Sequence, residues 1–278
     1  MSLICLWGVE IPKAELTSLQ IEYLQTLPQE LPDNSWLWKE MDLVWDDFGL
    51  NNRQGLSAQP IGDYYSHPVW LANGVFSAVD PTSLSHRQAI AACLSQVGAK
   101  RIADYGGGFG ELALQLVRVI PDVSVSIIEP YAMKAAVNRI QEEPRVRIVP
   151  DLAEDDYDAI IAQDVLEHVE DPISLACRLA SLVRDGGYVV FANCFFPIIK
   201  CHLPSTFHLR HTFKWVMSAM GLRYVGRVAG AQHALLFVRK GAVDLRKAQS
   251  AERVSRILGP IINGVFRLRD RAKGLLAS

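Results

Sequence analysis

The residues best suited to chemistry in this chain surround a glycine-rich turn between an apolar strand pattern and an apolar helix pattern. The predicted strand Arg101–Asp104 ends in an acid, and glycines then occupy alternate positions at Gly106, Gly108 and Gly110. Glycine lets a backbone approach a ligand closely and adopt positive φ angles. A carboxylate beside it can accept hydrogen bonds from a cationic or hydroxylated ligand. The spacing therefore predicts a nucleotide-like cofactor site at the end of this strand.

Two phosphate-binding motifs do not fit the same turn. The dinucleotide fingerprint needs G-x-G-x-x-G, and counting from Gly106 places Glu111 where the third glycine belongs. A carboxylate there would compete with a pyrophosphate for the positive end of the helix. The chain also lacks the Gly-Lys-Ser/Thr sequence of a P-loop. The remaining D-x-G-x-G-x-G spacing suits a cofactor without phosphates.

Further predicted strands end in acids, in a regular order along the chain. Glu129 ends the second strand 23 residues after Gly106, and Asp151 and Asp164 end the third and fourth. An acid at a strand end about 20 residues beyond a glycine turn can bind two ribose hydroxyls. Strands alternating with helices predict a mainly parallel sheet covered on both faces. The predicted strands are 124–129, 146–151, 158–164, 185–193, 222–228 and 233–239, the last two antiparallel.

This ordered set resembles the class I S-adenosylmethionine-dependent methyltransferases, in particular the small-molecule branch with type 11 or type 23 methyltransferase domains. The resemblance covers roughly residues 84–240. It implies a Rossmann-like α/β fold with a mainly parallel seven-stranded sheet and helices on both faces. Residues 1–83 would then form an N-terminal helical and aromatic cap on the substrate side. Residues 241–278 would form a basic amphipathic tail.

The resemblance also implies a role for each cofactor-binding residue, with S-adenosylmethionine as the cofactor. The first acid and the glycines would bind the methionine part, and Glu129 would hold the ribose. Asp151 and Leu152 would contact the adenine, and Gln163 would lie beneath the cofactor near the reacting methyl. The full implied set is Asp104, Tyr105, Gly106, Gly108, Gly110, Glu129, Pro130, Asp151, Leu152 and Gln163.

Histidines near the predicted site are candidates for a general base, because imidazole exchanges protons near neutral pH. His202 and His208 rank first, since the loop after the fifth strand should face the acceptor. His168 ranks next, and His211 lies in the same loop as the first two. The alternative for each is a structural or surface histidine.

A metal site is a further alternative at the fourth strand end. Asp164-Val-Leu-Glu167-His168 resembles the E-x-x-E-H arrangement of quinone-pathway methyltransferases that use a divalent metal, with Asp in place of the first Glu. Three ligands rarely complete a coordination shell, so we predict no metal and a segment that simply starts a helix.

The aromatic residues of the N-terminal region leave two interpretations open. Tyr64, Tyr65, His67 and Trp70 could form a lid or a wall for the acceptor, or they could be the core of a subdomain. Arg87 could reach the cofactor carboxylate, although a solvated helical arginine is favoured.

Composition limits the broad class. The chain has 278 residues, of which half are hydrophobic, and a net charge of −2, which gives no bulk attraction to nucleic acid. Five cysteines without a C-x-x-C pair favour a reducing, cytoplasmic setting. The longest apolar run, 188–199, is too short to span a membrane, and residues 1–7 lack the basic start of a signal peptide.

The tail combines charge with apolar periodicity. Residues 241–278 hold eight Lys or Arg and three acids, and apolar residues recur at helical spacing between Val254 and Leu268. This pattern could dock on a membrane surface or a partner, or mediate a homo-oligomer. Packing against its own domain or a second subunit is favoured. Gly259, Pro260 and Gly264 argue against one continuous helix.

The resemblance to this family implies methyl transfer to a small-molecule or glycan-type acceptor. The N/D-P-P-Y/F signature of amino-directed methyltransferases is absent, which favours an oxygen or carbon acceptor. One alternative is another enzyme on the same fold, such as a decarboxylase or cyclase. The other is a non-catalytic scaffold or partner subunit that binds the cofactor without turnover.

The helices predicted around these motifs are 13–26, 35–48, 84–96, 172–183 and 212–220, with a loop at 51–62.

Overall fold

The computed structural model describes residues 2–152 and 156–276. A hairpin of β1 (Leu3–Leu6) and β2 (Val9–Pro12) precedes a large mixed sheet of seven strands. Its members in chain order are β3 (Arg101–Tyr105), β4 (Ser124–Ile128), β5 (Val146–Ile148), β6 (Tyr157–Gln163), β7 (Val183–Ala192), β8 (Leu222–Val228) and β9 (Ala231–Arg239).

The order of strands across the sheet is β5-β4-β3-β6-β7-β9-β8. The five strands from β5 to β7 pair in parallel, and β9 is antiparallel to both β7 and β8. This confirms the predicted Rossmann-like α/β fold. After β5 the chain returns to lay β6 beside β3, so the direction of winding reverses between those two strands. Ligands of open α/β folds bind at such a reversal, outside the carboxyl ends of the strands.

Helices cover both faces of the sheet because its central strands are apolar on both sides. On β6, Ile160 packs into one core and its neighbour Ile161 into the other, as the two-residue period of a strand requires. One face carries α5 (Pro81–Gln96), α6 (Glu111–Val119) and α7 (Lys134–Gln141). The other carries α8 (Pro172–Leu182), α9 (Phe213–Met220) and α10 (Leu245–Leu276).

The N-terminal helices form a third core over the carboxyl edge of the sheet. They are α1 (Ser18–Thr26), α2 (Asn34–Asp47), α3 (Ala58–Ser66) and α4 (Pro68–Val79). Within α4, a Cβ on Gly74 would lie 2.8 Å from Cβ of Phe109, so this helix packs directly against the glycine turn. The N-terminal region is thus positioned against the predicted cofactor site.

Several predicted boundaries are wrong, each for a local reason. The helix predicted at 13–26 is a short 3-10 turn followed by α1, whose start Thr17 fixes through a capping box with Gln20. The loop predicted at 51–62 ends earlier, because α3 begins at Ala58. The helix predicted to end at Val183 ends at Leu182, since Val183 already belongs to β7.

The tail also differs from the prediction. Despite Gly259, Pro260 and Gly264, α10 is one continuous helix. Packing explains this result, because Gly259 lies against the backbone of His208, where a Cβ would come within 2.4 Å of the carbonyl oxygen. None of the described helices combines the length and apolar character needed to cross a membrane.

Candidate active site

The glycine turn adopts the conformation that its sequence requires. Gly106, Gly108 and Gly110 have φ angles of 75°, 53° and 81°, in the left-handed region that other residues rarely enter. A Cβ on Gly106 would lie 2.5 Å from Val165, and one on Gly110 would lie 2.5 Å from Ile140, whereas one on Gly108 would meet nothing within 4 Å. Gly108 therefore faces open space, and the other two are needed for close packing.

The acid at the end of β4 is oriented by this turn. Glu129 accepts hydrogen bonds from the backbone amides of Gly108 (2.9 Å) and Tyr131 (3.1 Å), one on each carboxylate oxygen. Each oxygen keeps further acceptor capacity, since a carboxylate has about four lone-pair sites. The carboxylate is thus held in position to accept from a pair of hydroxyls.

The acid at the end of β3 is buried. Asp104 is 2% exposed, and its Oδ2 has no hydrogen-bond partner among the described residues. Burial, with a smaller contribution from the negative charge of Glu129, raises the pKa of Asp104 to about 7. An unpartnered buried carboxyl oxygen costs stability. It is a suitable acceptor for a cationic ligand group that enters the turn.

The end of β6 lies beside these residues. Register pairs Tyr105 with Ala162, so Gln163 and Asp164 extend just beyond the end of β3. Asp164 has a φ of 52°, uncommon outside glycine, and accepts a 3.3 Å hydrogen bond from the side chain of Gln163. Desolvation by the surrounding protein raises the pKa of Asp164. This left-handed conformation turns the chain immediately after β6, beside the end of β3.

Glu167 is the most deeply buried acid of this segment, with no exposed surface. Its Oε1 accepts a 2.5 Å hydrogen bond from the amide of Cys194, and its Oε2 has no partner among the described residues. Burial, and then the charge of Asp164, raises the pKa of Glu167 to about 8. This carboxyl group is therefore neutral at neutral pH, with one oxygen unsatisfied.

Two histidines adjoin Glu167, and their ring centroids are 4.9 Å apart. Nδ1 of His168 lies 3.2 Å from the carbonyl oxygen of Cys201, and Nδ1 of His202 lies 3.0 Å from that of Phe196. A carbonyl can only accept, so each Nδ1 carries a proton and each Nε2 keeps its lone pair. Burial lowers the pKa of both imidazoles, that of His168 to about 3. Both rings are neutral bases at neutral pH.

An aromatic wall borders these imidazoles. Tyr65 stacks on Tyr131 at 5.4 Å and contacts Trp70 at 4.9 Å, and both Tyr65 and Trp70 lie within 6.4 Å of the His168 ring. The hydroxyl of Tyr65 and Nε1 of Trp70 have no partner among the described residues. Tyr64, in contrast, is fully buried in the N-terminal core. The core interpretation is confirmed for Tyr64, whereas a wall for the acceptor stays a prediction for Tyr65 and Trp70.

The N-terminal helices hold the second histidine in place. The backbone amide of Lys200 donates a 2.6 Å hydrogen bond to Asp42, and Lys200 also forms an ion pair with Asp46. Asn52 donates to the carbonyl of Lys200 at 2.7 Å. These contacts dock the segment before His202 onto the N-terminal region, and they carry its imidazole to the end of β6.

Other predicted residues lie away from this cluster. His208 is buried against α10, with its Nε2 3.3 Å from Glu252. Arg87 is 4% exposed and donates to the carbonyl of Ser77 at 2.7 Å, so the favoured interpretation of a solvated arginine is wrong. Asp151 forms an ion pair with Arg178 at the surface.

The structure therefore assembles a trio that the sequence analysis did not group together. Glu167, His168 and His202 each place a possible ligand atom within 4.8 Å of the others, and such a set could hold a metal ion. The third member of this trio is His202, whereas the E-x-x-E-H resemblance had grouped Asp164 with Glu167 and His168. Three protein ligands are the number found in catalytic zinc sites. The absence of a metal stays a prediction.

A D-x-G-x-G-x-G turn and a strand-end acid at the reversal point of a Rossmann-like sheet are typical of enzymes that bind a nucleotide cofactor. Residues 85–225, more than half of the chain, match the family model described as a methyltransferase domain. The chain belongs to the S-adenosylmethionine-dependent methyltransferase family, with S-adenosylmethionine as its cofactor.

Several of the similar curated proteins are named as ubiquinone biosynthesis O-methyltransferases, and others as uncharacterized methyltransferases. A ubiquinone biosynthesis O-methyltransferase from Xanthomonas campestris pv. campestris (strain B100) is 32% identical over 195 residues, 65% of this chain and 74% of the relative. One from Pectobacterium carotovorum subsp. carotovorum (strain PC1) is 30% identical over 160 residues, 53% of this chain. The chain spans 56% of that second relative.

Solved structures share the fold at low sequence identity. An O-methyltransferase family protein from Burkholderia thailandensis has a TM-score of 0.51 and 19% identity, covering 82% of this chain and 77% of that one. Human N-acetylserotonin methyltransferase in complex with S-adenosylmethionine has a TM-score of 0.51 and 16% identity, with coverage of 80% and 70%.

Proposed function

We propose that this enzyme transfers a methyl group from S-adenosylmethionine to a hydroxyl oxygen of a small-molecule or glycan-type acceptor. The observation that carries the proposal is the neutral imidazole pair of His168 and His202. It lies beside the aromatic wall of Tyr65 and Trp70, at the reversal point of the sheet. A general base speeds the reaction of a hydroxyl acceptor by removing its proton, whereas the methyl group of the cofactor needs no base to activate it.

The strand-end residues are suited to holding the cofactor. The unpartnered oxygen of Asp104 would accept from the ammonium of the methionine part, and the open space above Gly108 would admit its backbone. Glu129 would accept from the ribose, with Tyr105 and Pro130 beside it. Asp151 and Leu152 would border the adenine, and Gln163 the reacting end. When bound, the cofactor supplies a methyl group already activated by its sulfonium.

The protein's own work is then to orient the acceptor and remove its proton. The aromatic wall would hold a ring face, which both an aromatic ring and a sugar ring can present. Nε2 of His202 would take the hydroxyl proton, because its Nδ1 is fixed by the carbonyl of Phe196. His168 is the weaker base, since its pKa is about 3. Alignment of the acceptor oxygen accounts for most of the remaining rate.

The two relatives described above support oxygen as the acceptor atom, because they are named as O-methyltransferases of ubiquinone biosynthesis.

For His208 we propose a structural function in place of the predicted one as general base. Its contact with Glu252 favours a role in positioning α10 over a role as base.

All five cysteines are free thiols, which supports our proposal that the enzyme acts in the reducing cytoplasm.

Calorimetric titration with S-adenosylhomocysteine, with NAD as control, tests the cofactor site first. We expect binding of the former alone. Labelled S-adenosylmethionine would then be incubated with a panel of catechols, hydroxylated quinols and nucleotide sugars, and the methylated atom identified by NMR. Methylation at oxygen supports the proposal. Methylation only at nitrogen or carbon, or cofactor binding without turnover of any acceptor class, would contradict it, and the latter would favour the scaffold alternative.

A further inference from the structure

The C-terminal helix α10 attaches to the enzyme through small residues along one face. Ala248 and Ala251 belong to the core, and the hydroxyl of Ser255 is fully buried against Thr212 and the carbonyl of His208. Gly259 continues this face and allows the closest approach to the body of the enzyme. Packing through such small side chains leaves the larger apolar residues of the helix on another face.

Those larger residues are exposed. Most recur at intervals of three or four positions, and Ile257 and Leu258 are adjacent, which places all of them in one stripe along the helix. Their exposed fractions range from 43% for Val254 and Leu258 to 70% for Ile257. Burying such side chains is favourable, so an unpartnered stripe of this length indicates an interaction surface. The apolar stripe consists of Val254, Ile257, Leu258, Ile261, Val265 and Leu268.

Basic residues run along the edge of the apolar stripe. Arg246, Arg253 and Arg267 are exposed and are separated by multiples of seven residues, which places them in one row. Between residues 245 and 269 the helix has six Lys or Arg and a single acid, Glu252. That acid is already engaged by Arg256 and His208. The exposed side of α10 is therefore apolar in the middle and cationic at its edge.

This charge distribution selects among possible occupants. Two copies of α10 packed antiparallel, stripe against stripe, would bring their arginine rows together, with Glu252 already paired. Like charges at that distance are unfavourable. An anionic lipid surface offers both matching features, because headgroup phosphates attract arginine and the acyl boundary takes up the apolar stripe.

We propose that α10 docks the enzyme on the surface of an anionic membrane, with the helix lying in the plane of the headgroups. The apolar stripe enters the acyl boundary, and the arginine row contacts the headgroups. This inference is independent of the acceptor proposed above, because it rests on a helix that contributes none of the cleft residues.

The test is co-sedimentation of the full chain with vesicles of phosphatidylcholine alone and of phosphatidylcholine with 30–40% phosphatidylglycerol (roughly the anionic fraction at which surface charge acts strongly). We expect binding to the anionic vesicles, weakened by salt, and little to the neutral ones. Ile261→Glu should lower the affinity by about tenfold or more. Arg253→Gln combined with Arg267→Gln should lower it by roughly twenty-five-fold, about fivefold per arginine.

Val225→Glu is the matched control, since Val225 is 50% exposed on β8, outside α10. It should leave vesicle binding unchanged, and all variants should keep the melting temperature and the affinity for S-adenosylhomocysteine. Failure of the folded wild-type chain to bind anionic vesicles would overturn the proposal. So would equal losses in Ile261→Glu and Val225→Glu. If the chain did not bind vesicles, and sedimentation showed a dimer that Ile261→Glu dissociates, the apolar stripe would instead be the interface with a second copy.

Discussion

The carboxylate of Glu129 accepts a hydrogen bond from the backbone amide of Gly108 at 2.9 Å, so the end of β4 is tied to the glycine turn after β3. The second oxygen accepts from the amide of Tyr131 at 3.1 Å. The Glu129 carboxylate thus links the glycine turn to Tyr131, which stacks on Tyr65 of the aromatic wall. Because Tyr131 stacks on Tyr65, we expect cofactor binding and placement of the acceptor to be coupled through this contact.

Removal of that carboxylate should weaken cofactor binding. In Glu129→Ala the ribose loses a charge-assisted acceptor worth about 1.5–3 kcal/mol, so the affinity for S-adenosylhomocysteine should fall by roughly tenfold to a hundredfold. Calorimetry measures this change. Glu142→Ala, at an exposed acid beyond α7, should bind normally. Equal affinity in wild type and folded Glu129→Ala would remove Glu129 from the proposed site.

Cofactor affinity should depend on pH through Asp104. The pKa of this buried carboxyl is about 7 without ligand, so it is mostly protonated at pH 6 and mostly ionised at pH 8. The ammonium of the ligand needs the ionised form. Affinity for S-adenosylhomocysteine should therefore rise about tenfold from pH 6 to pH 8, as titrations at several pH values would show.

Asp104→Asn is the control for that titration. It should bind weakly at both pH values, without the rise. The raised pKa also means that the ligand-free enzyme loses stability as pH increases from about 4 towards 7, because the native state must give up a proton that the unfolded chain has already lost. Asp104→Asn should lack this contribution to the loss. A pH-dependent affinity that persists in the variant would assign it to another group.

The sequence predicted the sheet and the strand-end acids because both depend on local patterns. Apolar strands and glycine turns identify β3 to β7, and the chain order of the acids follows from them. Asp104 and Glu129 could therefore be located by counting. The boundaries of helices were less certain, because caps such as the one between Thr17 and Gln20 involve only a few atoms.

The histidine pair could not be predicted in the same way. His168 and His202 are 34 residues apart in the sequence. They meet because Asp42 binds the amide of Lys200, a contact between residues 158 positions apart. No periodicity encodes such a contact. The only available signal was that the loop after the fifth strand should face the acceptor, and this signal ranked His208 as highly as His202.

Substitution of His202 and of His208 should distinguish the general base from a histidine that only positions α10. His202→Gln should lower kcat on a hydroxyl acceptor by about a hundredfold or more, with the affinity for S-adenosylhomocysteine unchanged. His208→Gln should keep its rate per folded molecule and lower the melting temperature, because it disrupts the contact with Glu252. Since burial lowers the pKa of His202, the wild-type kcat at saturating S-adenosylmethionine should persist below pH 6.5. Loss of rate in His208→Gln alone would reverse the assignment.

Chelation distinguishes a base from a metal ligand in the same trio. We expect that dialysis against EDTA leaves methyl transfer unchanged, because the proposed step needs only the lone pair of His202. Metal analysis of the purified enzyme provides the control. Activity lost on chelation and restored by a divalent cation would make Glu167, His168 and His202 ligands.

Two glycines of α10 should respond to alanine in opposite directions. At Gly259 a Cβ would lie 2.4 Å from the carbonyl oxygen of His208, a backbone atom that cannot yield without moving the helix. At Gly264 nothing lies within 4 Å, so alanine brings only its better helix propensity, about 0.5–1 kcal/mol. Thermal unfolding should show a lower melting temperature for Gly259→Ala and a rise of roughly 1–4 °C for Gly264→Ala. If Gly259→Ala proved as stable as Gly264→Ala, close packing of α10 against His208 would be wrong.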